Sequence, residues 1–132
     1  MRTLIRTFLT AVALAIASPA LSHHSFSAEF DVGRPVEFTG IITRVEWTNP
    51  HAWLFLSVRD DAGQMQEWAV ELLGINTLMR RGLTRDSIKP GDRLDVTGFG
   101  ARDGSNTANA STVSRSDSGE TLWASAAGDR AN

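Results

Sequence analysis

The chain has 132 residues, with 13 basic and 15 acidic side chains, three histidines and no cysteine. This length is enough for one domain and too short for an enzyme with a separate cofactor domain. A formal net charge of −2 argues against a nucleic-acid-binding protein, because neutralising phosphates requires a dense basic surface. The lack of cysteine excludes disulfides, thiolate zinc sites, iron–sulfur clusters and covalently attached haem.

Residues 1–22 have the pattern of a secretory signal peptide. Arg2 and Arg6 precede an uncharged, mostly apolar run over residues 7–17, and small residues follow it. This run is shorter than the roughly 20 residues that cross a bilayer, so the pattern predicts cleavage rather than anchoring. Cleavage after position 22 or after position 20 fits the small-residue rule. We expect a periplasmic or secreted protein that has no transmembrane segment after cleavage and, without a cysteine, is not a lipoprotein.

Alternating apolar and polar residues predict a β structure for most of the remaining chain. The predicted strands cover residues 38–47, 52–58, 66–72, 93–99, 107–114 and 120–123, the last two as one strand or a hairpin. A short helix over residues 77–81 ends at Gly82, and Pro90 and Gly91 form the centre of a type II turn. Gly40, inside the first strand, marks a bulge or sharp coiling.

Three strands, a short helix and two further strands are the order of a five-stranded OB-like barrel. We therefore predict an all-β fold of this kind with one short helix, and a generic β-sandwich or meander is the alternative. The predicted organisation is a signal peptide (1–22), an OB-like domain with an N-terminal arm (23–123) and a flexible tail (124–132). The residues of this tail are mostly small and polar, which is typical of frayed chain ends.

Four segments of the chain form recognisable motifs. They are His23-His24-Ser25-Phe26 with the residues up to 31, Trp47-Thr48-Asn49-Pro50-His51, and residues 68–72 and 80–86. With these motifs the chain resembles a family of small exported bacterial proteins of unknown function, over about residues 22–123. Ser22 departs from the pattern, which has alanine before the histidine pair. The resemblance implies export and brings no known activity.

The three histidines predict a metal site. With His23 as the first residue, its α-amine and ring nitrogen can chelate one ion, and His24 or His51 can add a third nitrogen. Such ligands suit Cu(II), and the arrangement is similar to the amino-terminal histidine of secreted copper-binding proteins. With Leu21 first, the amine, two backbone nitrogens and the His23 ring can form a square-planar Cu(II) or Ni(II) site. The simpler alternatives are a disordered arm with adventitious metal uptake and a turn in which His51 bonds the backbone.

A metal-free adaptor of the cell envelope is the second predicted function, with a peptide, a saccharide or a partner protein as its ligand. In an OB barrel the loops after strand 1 and between strands 4 and 5 flank the ligand face. These loops and the adjoining strand hold the candidate ligand-binding residues Trp47, Asn49, Trp53 and Asp103. Core packing of both indoles is the simpler alternative.

Catalysis has little support in the sequence. The chain has no nucleophile motif, no phosphate-binding glycine loop and no zinc-protease motif. Glu67 and Glu71 share one face of a strand and could pair as an acid and a base, but solvated strands show the same spacing. Arg80, Arg81 and Arg85 lie beside Asp86, which is typical of surface ion pairs. We expect a binding or accessory protein rather than an enzyme.

Overall fold

The computed structural model describes residues 25–126 and 128–130. The predicted signal peptide, His23 and His24 lie outside the described residues. The described part of the chain is mostly β-sheet with two short helices. In chain order its elements are α1 (Phe26–Glu29), β1 (Phe30–Glu46), β2 (Trp53–Arg59), β3 (Met65–Glu71), α2 (Ile75–Arg80), β4 (Arg93–Ala101), β5 (Thr107–Arg115) and β6 (Thr121–Ala124).

Five of the strands close into a ring of pairings. β1 pairs antiparallel with both β2 and β4, β2 pairs with β3, and β4 pairs with β5. A short parallel pairing of residues 69–71 of β3 with residues 107–109 of β5 closes the ring. β6 lies outside the ring and pairs with the second half of β5. The predicted β-rich architecture is confirmed, but the structure adds a second helix, α1, at the start of the domain.

β1 has 17 residues and begins at Phe30, eight positions before the predicted start. Its first half has weak strand formers, and it is held by pairing with β4, where Pro35 lies opposite Phe99. Near Gly40 the strand passes from β4 to β2. A Cβ atom at Gly40 would lie 2.8 Å from the Val58 side chain, so this close crossing of strands requires glycine. The bulge itself falls between Ile42 and Arg44.

The hydrophobic core fills the interior of the ring. Leu54 and Leu56 of β2 are buried, whereas Trp53 and Phe55, which alternate with them, are only partly buried. Burying a side chain of this size stabilises a fold by about 1.5–3 kcal/mol. The alternation therefore fixes which residues of each strand face outward. The largest side chains with almost no exposure are Ile42, Leu54, Leu56, Val70, Leu72, Leu78, Leu94, Val96 and Val113.

Two predicted turns are confirmed. Gly82 has φ +88° and follows α2, as a glycine that ends a helix does. Gly91 has φ +94°, and the Asp92 amide donates to the carbonyl oxygen of Lys89 at 3.1 Å, which defines the type II turn before β4. None of the helices in the described residues is long and apolar enough to span a membrane.

The last described residues, 128–130, contact the folded domain. Asp129 accepts two hydrogen bonds from the guanidinium of Arg81, at 2.7 and 2.8 Å. Arg130 donates to the hydroxyls of Ser111 and Ser125, at 2.7 and 2.9 Å. These contacts join the predicted tail segment to the end of α2 and to β5.

Candidate functional site

The candidate site lies on the outer face of the ring, where four strands place one outward residue each in a row. Phe99 of β4 is paired with Asn109 of β5, Asn109 with Glu71 of β3, and Glu71 with Trp53 of β2. We call these four residues the outer row. Because adjacent strands are about 4.8 Å apart, the row extends about 14 Å across the sheet.

Glu71 is the buried centre of the outer row, with only 5% of its surface exposed. One of its carboxylate oxygens is bonded to Nδ1 of His51, and the other accepts from the Asn109 amide at 3.2 Å. An ionised carboxylate only accepts hydrogen bonds, so the contact with ionised Glu71 requires the proton on Nδ1. A buried carboxylate without partners would be costly, and here both oxygens are partnered.

His51 projects its second ring nitrogen, Nε2, from this network. Its side chain is 38% exposed, and the described residues form no hydrogen bond to Nε2. In the tautomer that donates from Nδ1 to Glu71, Nε2 carries the lone pair of the imidazole. The arrangement presents one oriented nitrogen ligand or proton acceptor at the surface.

The loop over residues 47–52 positions His51 against the segment that follows β3. The Asn49 side-chain oxygen accepts from the backbone amide of Ile75 at 3.3 Å, and the peptide bond between Asn49 and Pro50 is cis. A Cβ atom at Gly74 would come within 2.8 Å of the Pro50 carbonyl oxygen, so glycine allows this close approach. The loop is thereby fixed to the segment that joins β3, which supplies Glu71, to α2.

A cavity of about 400 Å³ adjoins the Trp53 end of the outer row. The turn over residues 102–105 forms one of its walls, and the Asp103 carboxylate in this turn accepts from the Ser105 amide at 2.9 Å. This hydrogen bond lowers the pKa of Asp103, which keeps the carboxylate ionised. The lining residues are Ala28, Glu29, Phe30, Trp53, Ala101, Arg102, Asp103, Ser105 and Thr107.

α1 contacts both ends of the outer row, since Ala28 and Glu29 line the Trp53 cavity and Phe26 lies against Phe99. The Phe26 ring lies 6.1 Å from the Phe99 ring in an edge-to-face arrangement. Arg102 fixes the segment by donating to the carbonyl oxygens of Ser27 and Glu29, at 2.7 and 2.9 Å. α1 is therefore fixed to β4 and to the turn that follows it.

The predicted metal and ligand residues fall into three groups. His51 joins Glu71 and Asn109, whereas His23 and His24 lie outside the described residues. Trp53 and Asp103 line the same cavity. Trp47 packs against the core and the Asn49 amide holds the backbone of Ile75, so neither lines that cavity. Within residues 25–126 and 128–130, no group of three or more His, Asp or Glu side chains is arranged to hold a metal ion.

Sequence reasoning missed the residues that organise the site. The acid–base pairing considered for Glu67 and Glu71 does not form, since Glu67 is exposed and Glu71 is bonded to His51 and Asn109. Asn109 is a polar residue at an outward position between two buried alanines, which is the only local signal for its role. Its contact with Glu71 depends on the parallel pairing of β3 with β5.

Comparison with known proteins identifies a family and no characterised relative. The model of a family of unknown function, DUF6152, matches residues 11–110. The matched range includes all the candidate residues named above, from His23 to Asp103. No curated protein matches the chain.

Proposed function

The chain belongs to the DUF6152 family of unknown function, and from its geometry we propose that it is an exported accessory protein of the cell envelope that binds Cu(II). His23, as the mature N-terminus, supplies its α-amine and ring nitrogen, and His51 or His24 supplies a third nitrogen. The observation that carries this proposal is the hydrogen bond between buried Glu71 and Nδ1 of His51.

A histidine that ligates a metal characteristically donates its other ring N–H to a carboxylate, which fixes its tautomer and raises its basicity. Glu71 holds His51 in this way, and Asn109 in turn orients Glu71. Imidazole and amine nitrogens in a tetragonal arrangement suit Cu(II). The remaining ligands of such a site belong to residues before Ser25, because the described residues contain one histidine.

The proposed site requires residues 23 and 24 to reach His51 from the start of α1. Phe26 is seated on Phe99 of β4, and β3, with Glu71, is two strand positions away, or about 10 Å. Three extended residues span about the same distance. His23 and His24 are therefore close enough in the chain to reach the surface beside His51.

The proposed fold is a five-stranded OB-like barrel. The ring order β1-β2-β3-β5-β4, with α2 between β3 and β4 in the chain, supports this proposal. Ligands of OB folds bind on the outer face of strands 2 and 3. His51, Trp53 and Glu71 lie on or beside that face.

A copper titration of the exported protein tests the proposal. Intact-mass spectrometry first establishes the mature N-terminus, and the same sample is titrated with Cu(II). We expect one tightly bound equivalent, a loss of at least about tenfold in affinity for His51→Ala, and no tight binding after acetylation of the α-amine. Arg85→Ala, at an exposed residue outside this loop, is the control. Unchanged affinity in both the His51 variant and the acetylated protein would refute the copper site.

A second candidate function, a metal-free adaptor, rests on the Trp53 cavity. The exposed surface there combines an indole with an ionised carboxylate and two hydroxyl side chains, of Ser105 and Thr107. Aromatic faces with nearby polar groups suit a saccharide or peptide ligand. A neutral oligosaccharide that quenches indole fluorescence in the wild type but not in Trp53→Phe would support this function. Quenching that persists in Trp53→Phe would contradict it.

A further inference from the structure

The first half of β1 has one free edge. Residues 35–41 of β1 pair with β4, whereas β2 pairs only with the part of β1 that begins at Gly40. On the side away from β4, none of the described strands pairs with residues 30–39. A strand edge of this kind presents unpaired backbone N–H and C=O groups, to which another extended chain can bond.

The ladder with β4 identifies the backbone groups that face the free edge. The Ile42 amide donates to the carbonyl oxygen of Asp92 at 2.8 Å, and the register is unbroken from residue 35 to residue 41. Bonding alternates along an antiparallel strand, so the even-numbered residues here bond to β4. The N–H and C=O groups of Glu37 and Thr39 therefore point to the free edge. Pro35 has no N–H, which keeps this edge short.

A cavity of about 610 Å³ lies along this edge, where β1 diverges from β2 on the N-terminal side of Gly40. Residues 35–39 line one side of it and residues 58–61 line the other, and we call it the β1–β2 fork. Its aromatic surface consists of Phe38 and Trp68, which both pack against the core, with ring centroids 4.5 Å apart. None of the lining residues belongs to the outer row or to the proposed copper site.

Like charges oppose each other across the fork. The pairing of Ile41 with Ser57, continued along both strands, places Glu37 opposite Asp61. Both side chains are exposed, and neither forms an ion pair or a hydrogen bond with another described residue. Like charges in this position destabilise an antiparallel pair, so they keep β1 and β2 apart here. A cationic side chain between the two carboxylates removes this repulsion.

The other charged groups of the fork leave these two carboxylates unneutralised. Asp60 is a third carboxylate, and it accepts a hydrogen bond from the Gln64 amide at 2.8 Å, which lowers its pKa and keeps it ionised. Arg59 donates to the carbonyl oxygen of Gly63 at 2.9 Å. Neither Arg59 nor Arg93, the two arginines that line the fork, forms an ion pair among the described residues.

We propose that the β1–β2 fork binds an extended peptide segment of a partner protein, in which a lysine or arginine is flanked by apolar residues. The segment bonds as an added strand to the backbone groups of Glu37 and Thr39. Residues opposite each other on paired strands lie on one face, so the basic side chain lies between the carboxylates of Glu37 and Asp61. Its apolar neighbours point to the other face, towards Phe38 and Trp68.

Nuclear magnetic resonance of the full mature chain with a synthetic peptide tests the proposal. The probe is the pentapeptide Val-Thr-Val-Lys-Val, acetylated and amidated at its ends, and the same peptide with glutamate in place of lysine is its control. Without peptide, we expect fast amide hydrogen exchange at Glu37 and Thr39 and slow exchange at Phe38, which faces β4. Saturation with the lysine peptide should slow exchange at Glu37 and Thr39 at least about tenfold.

Charge-reversal variants test the chemistry of the segment. Glu37→Lys and Asp61→Lys should each weaken binding of the lysine peptide about fivefold, since each replaces an attraction by a repulsion. Glu67→Lys is the matched control, because Glu67 is an exposed carboxylate of β3 outside the fork. Exchange at Leu72, whose amide donates to the Ala52 carbonyl oxygen, should stay unchanged in all three variants and so report an intact sheet.

The proposal is overturned if the lysine peptide causes no saturable change in exchange at Glu37 and Thr39. Equal binding of the glutamate peptide, or unchanged affinity in both fork variants, would overturn the basic character of the segment. Slow exchange at Glu37 and Thr39 without peptide would show an occupied edge, and an increase on dilution would identify a second copy of the chain as the occupant. If exchange at Leu72 rises in Glu37→Lys, Asp61→Lys decides by the same criteria.

Discussion

Replacing Glu71 with glutamine tests whether the buried carboxylate fixes the tautomer of His51. Glutamine has nearly the same shape, so the side chain still fits between His51 and Asn109. The carboxylate can only accept, and it therefore keeps the imidazole proton on Nδ1. An amide can accept from Nδ1–H or donate to a bare Nδ1, so the preference for one tautomer is lost. Wherever the proton moves to Nε2, that nitrogen no longer binds a metal.

The size of the effect follows from the two hydrogen bonds. A hydrogen bond to a charged group contributes about 1.5–3 kcal/mol, against about 1 kcal/mol for a neutral one. Losing the charge therefore weakens the tautomer preference by about 0.5–2 kcal/mol. Loss of the partner behind a metal-bound histidine lowers metal affinity by about 10–100-fold. We expect Glu71→Gln to reduce Cu(II) affinity at least tenfold in a protein that remains folded.

Nitrogen-15 NMR of the metal-free protein measures the tautomer directly, since protonated and unprotonated ring nitrogens have well-separated shifts. The resonances of His51 are identified by their loss in His51→Ala. Glu67→Gln is the matched control, because Glu67 is on the same strand and exposed. The Nδ1–H tautomer in wild type and a mixture in Glu71→Gln are expected. The same tautomer and the same copper affinity in both proteins would refute the reasoning.

Three further predictions concern the scaffold. Gly98→Ala places a methyl group onto the carbonyl oxygen of Asn109, so it should lower the free energy of unfolding by about 3 kcal/mol in urea denaturation. Leu54→Ala empties a core position that is 1% exposed and should cost about 2–5 kcal/mol in the same assay; a loss below about 1 kcal/mol would contradict its core position. Asp129→Asn removes the carboxylate whose pKa is lowered by hydrogen bonds from Arg81. The pKa of Asp129 is lower in the folded protein than the ordinary Asp pKa of about 3.9. Above a pH of about 3.9 the wild type should therefore be more stable than this variant. The difference in stability should vanish as the pH falls through the pKa of Asp129 in the folded protein.

Local patterns were sufficient to predict the central strands. Leu54 and Leu56 alternate with Trp53 and Phe55, and this period of two correctly predicts β2 and its buried face. Gly82 and the turn at Pro90 and Gly91 have strong conformational preferences of their own. The end of α2 and the turn before β4 could therefore be predicted as well. These features depend on residues close together in the sequence.

The first half of β1 could not be predicted, because its residues favour a strand only when β4 is beside them. Asp31, Gly33 and Pro35 are poor strand formers, yet β1 includes all three and pairs with β4 at Phe30 and again from Pro35 onwards. α1 was missed for the same reason, since its docking depends on Phe99 and Arg130. Tertiary contacts override local propensity at both places.

The candidate site was predicted only at its histidine. His51, after Pro50 in a loop, was predicted as a candidate ligand. Glu71, the partner that orients it, was considered only as half of an acid–base pair with Glu67. Glu71 is 20 positions away from His51, and Asn109 is 38 positions from Glu71. The contacts arise because β2, β3 and β5 are neighbours in the ring, which a single sequence does not reveal.

The most direct test of the copper proposal is electron paramagnetic resonance of Cu(II) in the mature protein. With one equivalent of metal bound, we predict hyperfine coupling to three nitrogens in protein that begins at His23. His51→Ala should remove one of these nitrogens, and Arg85→Ala, at an exposed residue outside the His51 loop, should leave the spectrum unchanged. A spectrum that is identical in wild type and His51→Ala, with all its nitrogen coupling arising from the N-terminal arm, would contradict a copper site built on Glu71 and His51.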